Sequence, residues 1–434
     1  MKKKVVALFT TLAVSVVLVF ACVGCSVGTN GQDGKDFDLY IVYRQLVEKG
    51  EFEGSYSEFI KQYLNVEVNW DEQTSYATAV NTSLSSVVRI VMSGTYSYKS
   101  TSFFGSPTTT TLTMSGSGVI YSLDKENGDA YILTNCHVIY PGKIMEDGVT
   151  YTPKGDLTYA AYLYGLEYSD YGISFTVVGY SMDNDVAVLK VSNSEVLKKS
   201  AAQAAVIADS DEVAVGDKVF LIGNALGEGL SATSGIVSVE SEETTIEAVD
   251  GSKTITIRSM RTDCSANHGN SGGGLFDTDG KLLGLLFAGN NSDGAQGIGN
   301  VIPVNMVTGV ADSIIDNCDG KTVSTVKAKV GITSETKNIR QVFDAEKQKL
   351  GTKETVAVQS VSIGSAASGK LQSGDIICSL TLGDYTKEID HQWQISDFLW
   401  KVRSGDDVIF TVKRGDETVR ETLSFGADNF SAVA

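Results

Sequence analysis

Apolar residues recur along most of the chain in short alternating or continuous runs, a pattern typical of β-strands. Gly, Asn, Asp and Ser separate these runs, as in the turn Asp277–Gly280. The pattern predicts strands over residues 87–92, 110–113, 119–123, 131–134, 173–180, 186–191, 218–222, 254–257 and 282–287. Short strands without long helices between them indicate a mainly β fold, built as a barrel or sandwich pair.

Helical spacing predicts a different structure near the N-terminus. Between Phe37 and Leu64 the apolar residues recur with a helical period, and Ser55 and Glu58 are placed as a capping box. Residues 37–70 are therefore predicted to form a small helical hairpin.

The same pattern divides the rest of the chain into two domains. A β-rich domain is predicted over 71–320, closed by a helix over 305–316. Residues 317–328 are polar and are interpreted as a linker. A second β-rich module, with a helix near 393–402, completes the segment 321–434, and its length suits an independent domain.

The first 25 residues have the order of an export signal. Lys2–Lys4 precede the uncharged apolar run Val5–Val23. Residues 1–25 are therefore predicted to direct export, and the polar residues 26–36 to form a flexible spacer. The remainder of the chain is expected to function outside the cytoplasm.

The end of the apolar run, Val19–Cys25, resembles a bacterial lipobox. Cys22 follows the small residue Ala21 and fits the lipidated position better than Cys25, because Cys22 would occupy an apolar position if Cys25 were modified. The alternative is an uncleaved membrane anchor, although the run is short for a comfortable span. Either arrangement tethers the protein to the membrane, so we expect a lipid-anchored protein on the extracytoplasmic face.

Composition excludes several classes of protein. The 434 residues include 35 Lys and Arg against 53 Asp and Glu, a net charge of −18 that disfavours nucleic-acid binding. The cysteines beyond the signal form no C-x-x-C or Cys/His cluster, so no metal is expected. An oxidising compartment would permit a disulfide at Cys136 or Cys264, whereas buried lone cysteines more commonly pack as small hydrophobes.

Candidate chemistry lies at the ends of predicted strands. His137 ends one strand, where it could serve as a general base, and Asp185 opens another, where a carboxylate could be buried against an imidazole. Ser271 lies in Gly269–Gly273, where glycines allow successive backbone N–H groups to face one oxygen. Each signal alone is weak, but the chain order His, Asp, Ser matches that of the double-barrel trypsin-like fold.

The sequence resembles the HtrA/Deg family of trypsin-like serine proteases. The resemblance extends over about residues 80–434 and rests on segments in the family's order: 116–120, 131–138, 185–190, 222–227, 233–238, 262–273 and 297–305. It implies a chymotrypsin-like double β-barrel with His137, Asp185 and Ser271 as catalytic residues. Backbone N–H groups of Gly269 and Ser271, with Asn270 as a further candidate, would form the oxyanion hole.

The family resemblance also implies a substrate and an assembly. It implies cleavage of unfolded or damaged proteins after small aliphatic residues, a homotrimer and no cofactor. The sequence departs from the family at Cys136 and Cys264, where small residues are usual, at Gly274, where proline is common, and at Asn300–Val301. These departures leave the cleft shape and the substrate preference open.

The C-terminal module resembles a PDZ domain. Its most specific segment is Gly374–Ile377, and Val330, Gly331 and Ile332 are placed where the peptide carboxylate would bind. The resemblance implies capture of peptide C-termini by strand addition. The alternative is a rigid spacer, because a fold does not guarantee a working site.

The sequence therefore predicts an extracytoplasmic, membrane-tethered serine endopeptidase of HtrA type. The alternative function is a catalytically idle scaffold of the same fold that binds exposed protein C-termini. A solute-binding lipoprotein is disfavoured, because two α/β lobes would be needed.

Overall fold

The structure is a computed structural model that describes residues 46–47, 49–50, 52, 70–99, 107–146, 148–289, 298–317, 325–345 and 349–433. The predicted signal (1–25), the spacer (26–36) and nearly all of the helical hairpin (37–70) lie outside the described residues. Those three assignments stay predictions.

The first barrel follows helix α1 (Trp70–Leu84). Its strands are β1 (Val87–Lys99), β2 (Pro107–Asp124), β3 (Asp129–Thr134), β4 (Ile144–Glu146), β5 (Val149–Pro153), β6 (Thr158–Leu163), β7 (Thr176–Ser181) and β8 (Val186–Val191). Antiparallel pairing gives the order β6-β1-β2-β3-β8-β7, and a bridge between Ala161 and Ile173 closes the ring. The short helices α2 (Cys136–Ile139) and α3 (Glu195–Lys199) follow β3 and β8.

The second barrel is closed by strand pairing alone. Its strands are β9 (Val206–Ile207), β10 (Lys218–Gly223), β11 (Ser231–Glu247), β12 (Thr254–Thr262), β13 (Gly274–Asp277), β14 (Lys281–Gly289) and β15 (Gly299–Pro303). The ring runs β13-β10-β11-β12-β15-β14 and returns to β13. A 3₁₀ turn, Ala225–Gly227, follows β10, and helix α4 (Val304–Asn317) ends the barrel. These two barrels confirm the predicted mainly β, double-barrel fold.

Strand alternation places successive side chains in different cores. In β8, Val186 and Val188 pack between the two barrels, whereas Ala187 and Leu189 fill the interior of the first. Successive side chains of a strand point to opposite faces, so one short strand stabilises both layers. The catalytic candidates lie at the ends of strands that share this central core.

Helix α1 was not predicted from the sequence. Its residues are mostly polar, and its apolar face is confined to the second half, where Tyr76, Ala79, Val80 and Leu84 pack on the central core. The helix is held by tertiary packing, since Tyr76 meets Phe220 edge-to-face at 5.6 Å and Ala79 is buried in the central core. Packing of this kind commonly overrides a weak local preference.

The C-terminal module is a separate sheet with its own core. Its elements are β16 (Thr325–Ala328), β17 (Ile332–Asp344), β18 (Lys349–Val361), β19 (Ile376–Leu382), β20 (Tyr385–Glu388), α5 (Gln392–Leu399), β21 (Asp407–Arg414), β22 (Glu417–Ser424), a 3₁₀ turn (Ala427–Asn429) and β23 (Phe430–Val433). The main sheet has the order β17-β18-β19-β21-β22, so β17 is an edge strand beside α5.

The predicted polar linker 317–328 is wrong at its end. Residues 325–328 form β16, which pairs antiparallel with β23 at the end of the chain. Thr325 and Ala328 are buried in this pairing. The partner strand lies about a hundred residues further along the chain, a separation that no local sequence pattern reveals.

Candidate active site

His137 is presented by a short turn of helix at the end of β3. Its neighbours Cys136, Val138 and Ile139 are buried, which fixes the backbone, while the imidazole remains 31% exposed. Asn135, also buried, donates its side-chain amide to the Asp185 carbonyl over 2.9 Å. The histidine and aspartate segments are therefore joined through the backbone as well as through their functional groups.

Asp185 accepts two hydrogen bonds from His137. Its Oδ1 accepts from the backbone N–H at 3.0 Å, and its Oδ2 is paired with Nδ1 at 2.8 Å. The carboxylate is almost fully buried, and the residue has a left-handed φ of 49°, which aspartate tolerates better than most side chains. A carboxylate can only accept, so Nδ1 must carry the proton and Nε2 must be the free base.

The environment of His137 shifts its pKa upward. Burial alone would lower the pKa, but the charge of Asp185 and its hydrogen bond favour the imidazolium more strongly. The pKa of His137 is therefore raised above the ordinary value, which suits a group that must hold a proton during a reaction.

Ser271 lies in a loop fixed by β2. Ser117 donates its backbone N–H to the Ser271 carbonyl and its hydroxyl to the Gly269 carbonyl, both over 2.8 Å. Gly272 has a φ of 81°, and a Cβ there would lie 2.1 Å from the Ser117 carbonyl oxygen. Only glycine fits this approach, so the tight loop requires the glycine that follows the serine.

The serine loop packs directly against the histidine segment. A Cβ on Gly116 would meet Val138 at 2.6 Å and the Ser271 carbonyl at 3.2 Å, so one glycine separates the two segments. Among the described contacts, no hydrogen bond joins the Ser271 hydroxyl to His137. Such bonds are often long before substrate binds. The structure thus brings together His137, Asp185 and the loop that carries Ser271.

The backbone N–H groups of the predicted oxyanion hole differ in their availability. The N–H groups of Gly269 and Ser271 have no hydrogen-bond acceptor among the described residues, whereas the Asn270 N–H donates to the Asn267 carbonyl at 3.0 Å. Asn270 instead has a structural position, since its side-chain amide donates to the Ser265 carbonyl at 3.1 Å. Of the three candidate N–H groups, those of Gly269 and Ser271 are therefore the ones without an acceptor among the described residues.

Three of the positions that depart from the family have packing explanations. Cys136 and Cys264 are both buried free thiols, not a disulfide, and burial raises the pKa of each. They therefore pack as small hydrophobes. A Cβ on Gly274 would lie 2.5 Å from the Phe276 ring, so close packing accounts for glycine at this position.

An apolar cavity of about 230 Å³ lies beside His137. It is lined by Cys136, His137, Met182, Asp185, Ile246, Glu247, Val249, Ile255 and Phe287. The tip of the β11–β12 hairpin supplies part of this wall, and it is held there by the bond from the Met145 N–H to the Val249 carbonyl at 2.9 Å. Sequence reasoning missed this contribution because the hairpin tip has no distinctive motif.

The predicted peptide-carboxylate residues lie at the start of β17. Val330 is buried and its carbonyl accepts from Ala367, while Gly331 has a φ of 79° and Ile332 begins the strand. A cavity of about 640 Å³ runs between this edge and α5. Its apolar lining includes Val330, Ile332, Ile395, Leu399 and Trp400.

The C-terminal module is tied to the second barrel by contacts that the sequence did not reveal. Arg258 of β12 forms an ion pair with Asp397 of α5, and its guanidinium lies 3.8 Å from the Trp393 ring centroid. Trp400 is buried in the central core, where a Cβ on Gly309 would meet it at 2.5 Å. The two tryptophans of the predicted helix are therefore interface residues.

The described residues hold no cluster of His, Cys, Asp or Glu arranged to bind a metal ion. Nor does any helix in the described part of the chain have the length and apolar character needed to cross a membrane.

The chain is similar to known serine proteases. Residues 85–285, which contain His137, Asp185 and Ser271, match the family described as "Trypsin-like peptidase domain". The serine protease Do-like HtrA of Lactococcus lactis subsp. cremoris (strain MG1363) is 30% identical over 345 residues, covering 76% of this chain and 77% of the relative. The periplasmic pH-dependent serine endoprotease DegQ of Escherichia coli (strain K12) is 33% identical over 276 residues, covering 61% and 50%. Among solved structures, the HtrA-type protease AlgW with tripeptide has a TM-score of 0.47 at 27% identity, covering 81% of this chain and 96% of that chain.

Proposed function

The chain belongs to the HtrA family of serine proteases, and from this premise we propose that it is an extracytoplasmic, membrane-tethered endopeptidase that cleaves unfolded or damaged proteins after small aliphatic residues. The observation that carries the proposal is the buried Asp185 carboxylate paired with His137 at 2.8 Å, beside the loop of Ser271. This pairing leaves Nε2 as a base on the substrate side.

The mechanism is acyl transfer. Ser271 Oγ adds to the scissile carbonyl while His137 Nε2 takes its proton, and Asp185 stabilises the imidazolium. The N–H groups of Gly269 and Ser271 hold the resulting oxyanion, each contributing about 3 kcal/mol to lowering the barrier. The C–N bond then breaks, His137 protonates the leaving amine, and water hydrolyses the acyl-enzyme by the same steps.

Covalent capture by a fluorophosphonate tests this function, since the probe reports an activated serine in a formed cleft. We expect stoichiometric labelling, with the modified peptide containing Ser271. A folded protein that stays unlabelled and leaves casein intact would instead support the idle scaffold.

We also propose that the C-terminal module captures the free C-termini of substrates. The edge of β17 offers unpaired backbone groups, and the apolar part of the cavity beside β17 and α5 would take the terminal side chain. In the unliganded chain Gln392 crosses this groove, donating to the carbonyl and hydroxyl of Ser334 at 3.0 Å each. An added strand therefore has to displace Gln392.

The test measures peptide binding to the full chain carrying Ser271→Ala, which prevents cleavage. A peptide with a free, apolar C-terminus is expected to bind about tenfold more tightly than its C-terminal amide, because the amide loses charge-assisted hydrogen bonds. Gln392→Ala should strengthen binding of the free acid. Equal affinities for acid and amide would reject carboxylate capture.

The N-terminal tether is proposed as lipid on Cys22, with Cys25 as the alternative site. One acyl chain gives only marginal membrane binding, so stable anchoring would require several chains. Mass spectrometry of the membrane fraction should find a diacylglyceryl-modified cysteine at the mature N-terminus, and an unmodified N-terminus would refute the proposal.

A homotrimer, proposed from the family, can be measured on the same sample by light scattering.

A further inference from the structure

Leu226 and Tyr168 form an exposed apolar surface beside the serine loop, hereafter the Leu226–Tyr168 surface. Leu226 is 65% exposed and Tyr168 is 70% exposed. Exposed apolar side chains are common and need no explanation individually. These two differ because each is held in a fixed position, and Leu226 is held there at a conformational cost.

Leu226 has a strained backbone. Its φ of 55° and ψ of 14° place a γ-branched residue in the left-handed region, where glycine would be at ease. The strained conformation is fixed by the bond from the Leu226 N–H to the His268 carbonyl at 2.7 Å. Because the side chain points to solvent, it gains no burial in return, and such unexplained strain is concentrated at functional sites.

Tyr168 is held at both ends of its ring. Its hydroxyl donates to the Gly227 carbonyl at 2.6 Å, and the Arg89 guanidinium lies 4.8 Å from the ring centroid. A rigid aromatic ring with a free face is a preorganised contact, since little conformational entropy is lost when a ligand packs on it.

The same hydrogen bonds connect this surface to the nucleophile. Asn224, next to the strained turn, donates its backbone N–H to the Ser117 hydroxyl at 2.8 Å. Ser117 in turn holds both Gly269 and Ser271. The Leu226–Tyr168 surface is therefore connected to the serine loop by hydrogen bonds through Asn224 and Ser117.

We propose that the Leu226–Tyr168 surface is a substrate subsite that binds an apolar side chain within a few residues of the scissile bond. This inference rests on the proposed protease function. A rigid, exposed apolar surface favours an apolar side chain over a polar one at this position.

The test compares the full chain with its Leu226→Ala, Leu226→Met and Tyr168→Ala variants on quenched peptides that span one cleavage site. The peptides carry either leucine or serine at each of three positions on either side of the bond. Leu226→Ala is expected to lower kcat/KM about tenfold for peptides with leucine at one of these positions and to leave the serine peptides unchanged. Leu226→Met should retain most of the preference, and Tyr168→Ala should lose it.

The controls separate this inference from the proposed function. Val215→Ala removes an equally exposed apolar side chain elsewhere on the barrel, and it should change nothing. The fluorophosphonate labelling rate should match in all variants, because the small probe does not reach the subsite. A labelled, active Leu226→Ala enzyme with the wild-type peptide profile would overturn the subsite alone, whereas a wild-type chain that is neither labelled nor active would overturn the protease function.

Discussion

Replacing Ser271 with alanine is expected to reduce casein cleavage by about a millionfold, to the level of the buffer control. His137→Ala should cause a loss of similar size, and the double variant should lose little more. The reason is that the serine and the base act as one unit, so removing either atom removes the whole covalent pathway.

A matched control is available within the same loop. Ser265→Ala removes an exposed serine close to Asn270 but leaves Ser271 and its supporting bonds in place. This variant should keep near-wild-type cleavage and labelling. Strong residual hydrolysis in Ser271→Ala, measured on protein purified from a protease-deficient host, would contradict the assignment of the nucleophile.

The second large effect is expected from Asp185→Asn, which should lower kcat about ten-thousandfold. Asparagine can keep the bond from the His137 backbone N–H, so the fold should persist. Its amide can instead donate to Nδ1, which leaves the proton on Nε2, where it blocks transfer from Ser271. Unchanged thermal unfolding with lost activity would establish this positioning role.

The pH profile gives an independent readout for Asp185. A general base must be unprotonated, and Asp185 raises the pKa of His137, so wild-type kcat/KM should fall on acidification through a pKa above about 6.5. The residual activity of Asp185→Asn should have its acid limb at lower pH, because the favourable charge is gone. Asp183→Asn, which removes only the half-exposed partner of Lys253, should keep the wild-type limb. An identical limb in wild type and Asp185→Asn would contradict the coupling.

The interface between the C-terminal module and the second barrel determines which form of the chain is suitable for the peptide-binding tests. Arg258 and Asp397 are both largely buried, and removing one partner would leave an uncompensated charge. Truncation of the module would also remove Trp400 and expose the core that it covers around Gly309. Tests of peptide capture therefore belong on the full chain.

The sequence by itself determined several of the strands and the order of the candidate catalytic residues. The nearly continuous apolar run 186–191 predicted β8 with the bounds that the structure has, and the same run placed Asp185 directly before its start. Such patterns are informative because strand formation and facing depend on neighbouring residues. The glycines around Ser271 likewise signalled a tight loop, since their conformational freedom is a local property.

Tertiary structure alone decided the features that join distant parts of the chain. Helix α1 is held by Phe220, and Arg258 meets Asp397 139 residues away. The strain at Leu226 likewise exists only because the His268 carbonyl is brought to its N–H. Each depends on a partner remote in sequence, and a local pattern carries no record of which remote residues the folded chain will place in contact.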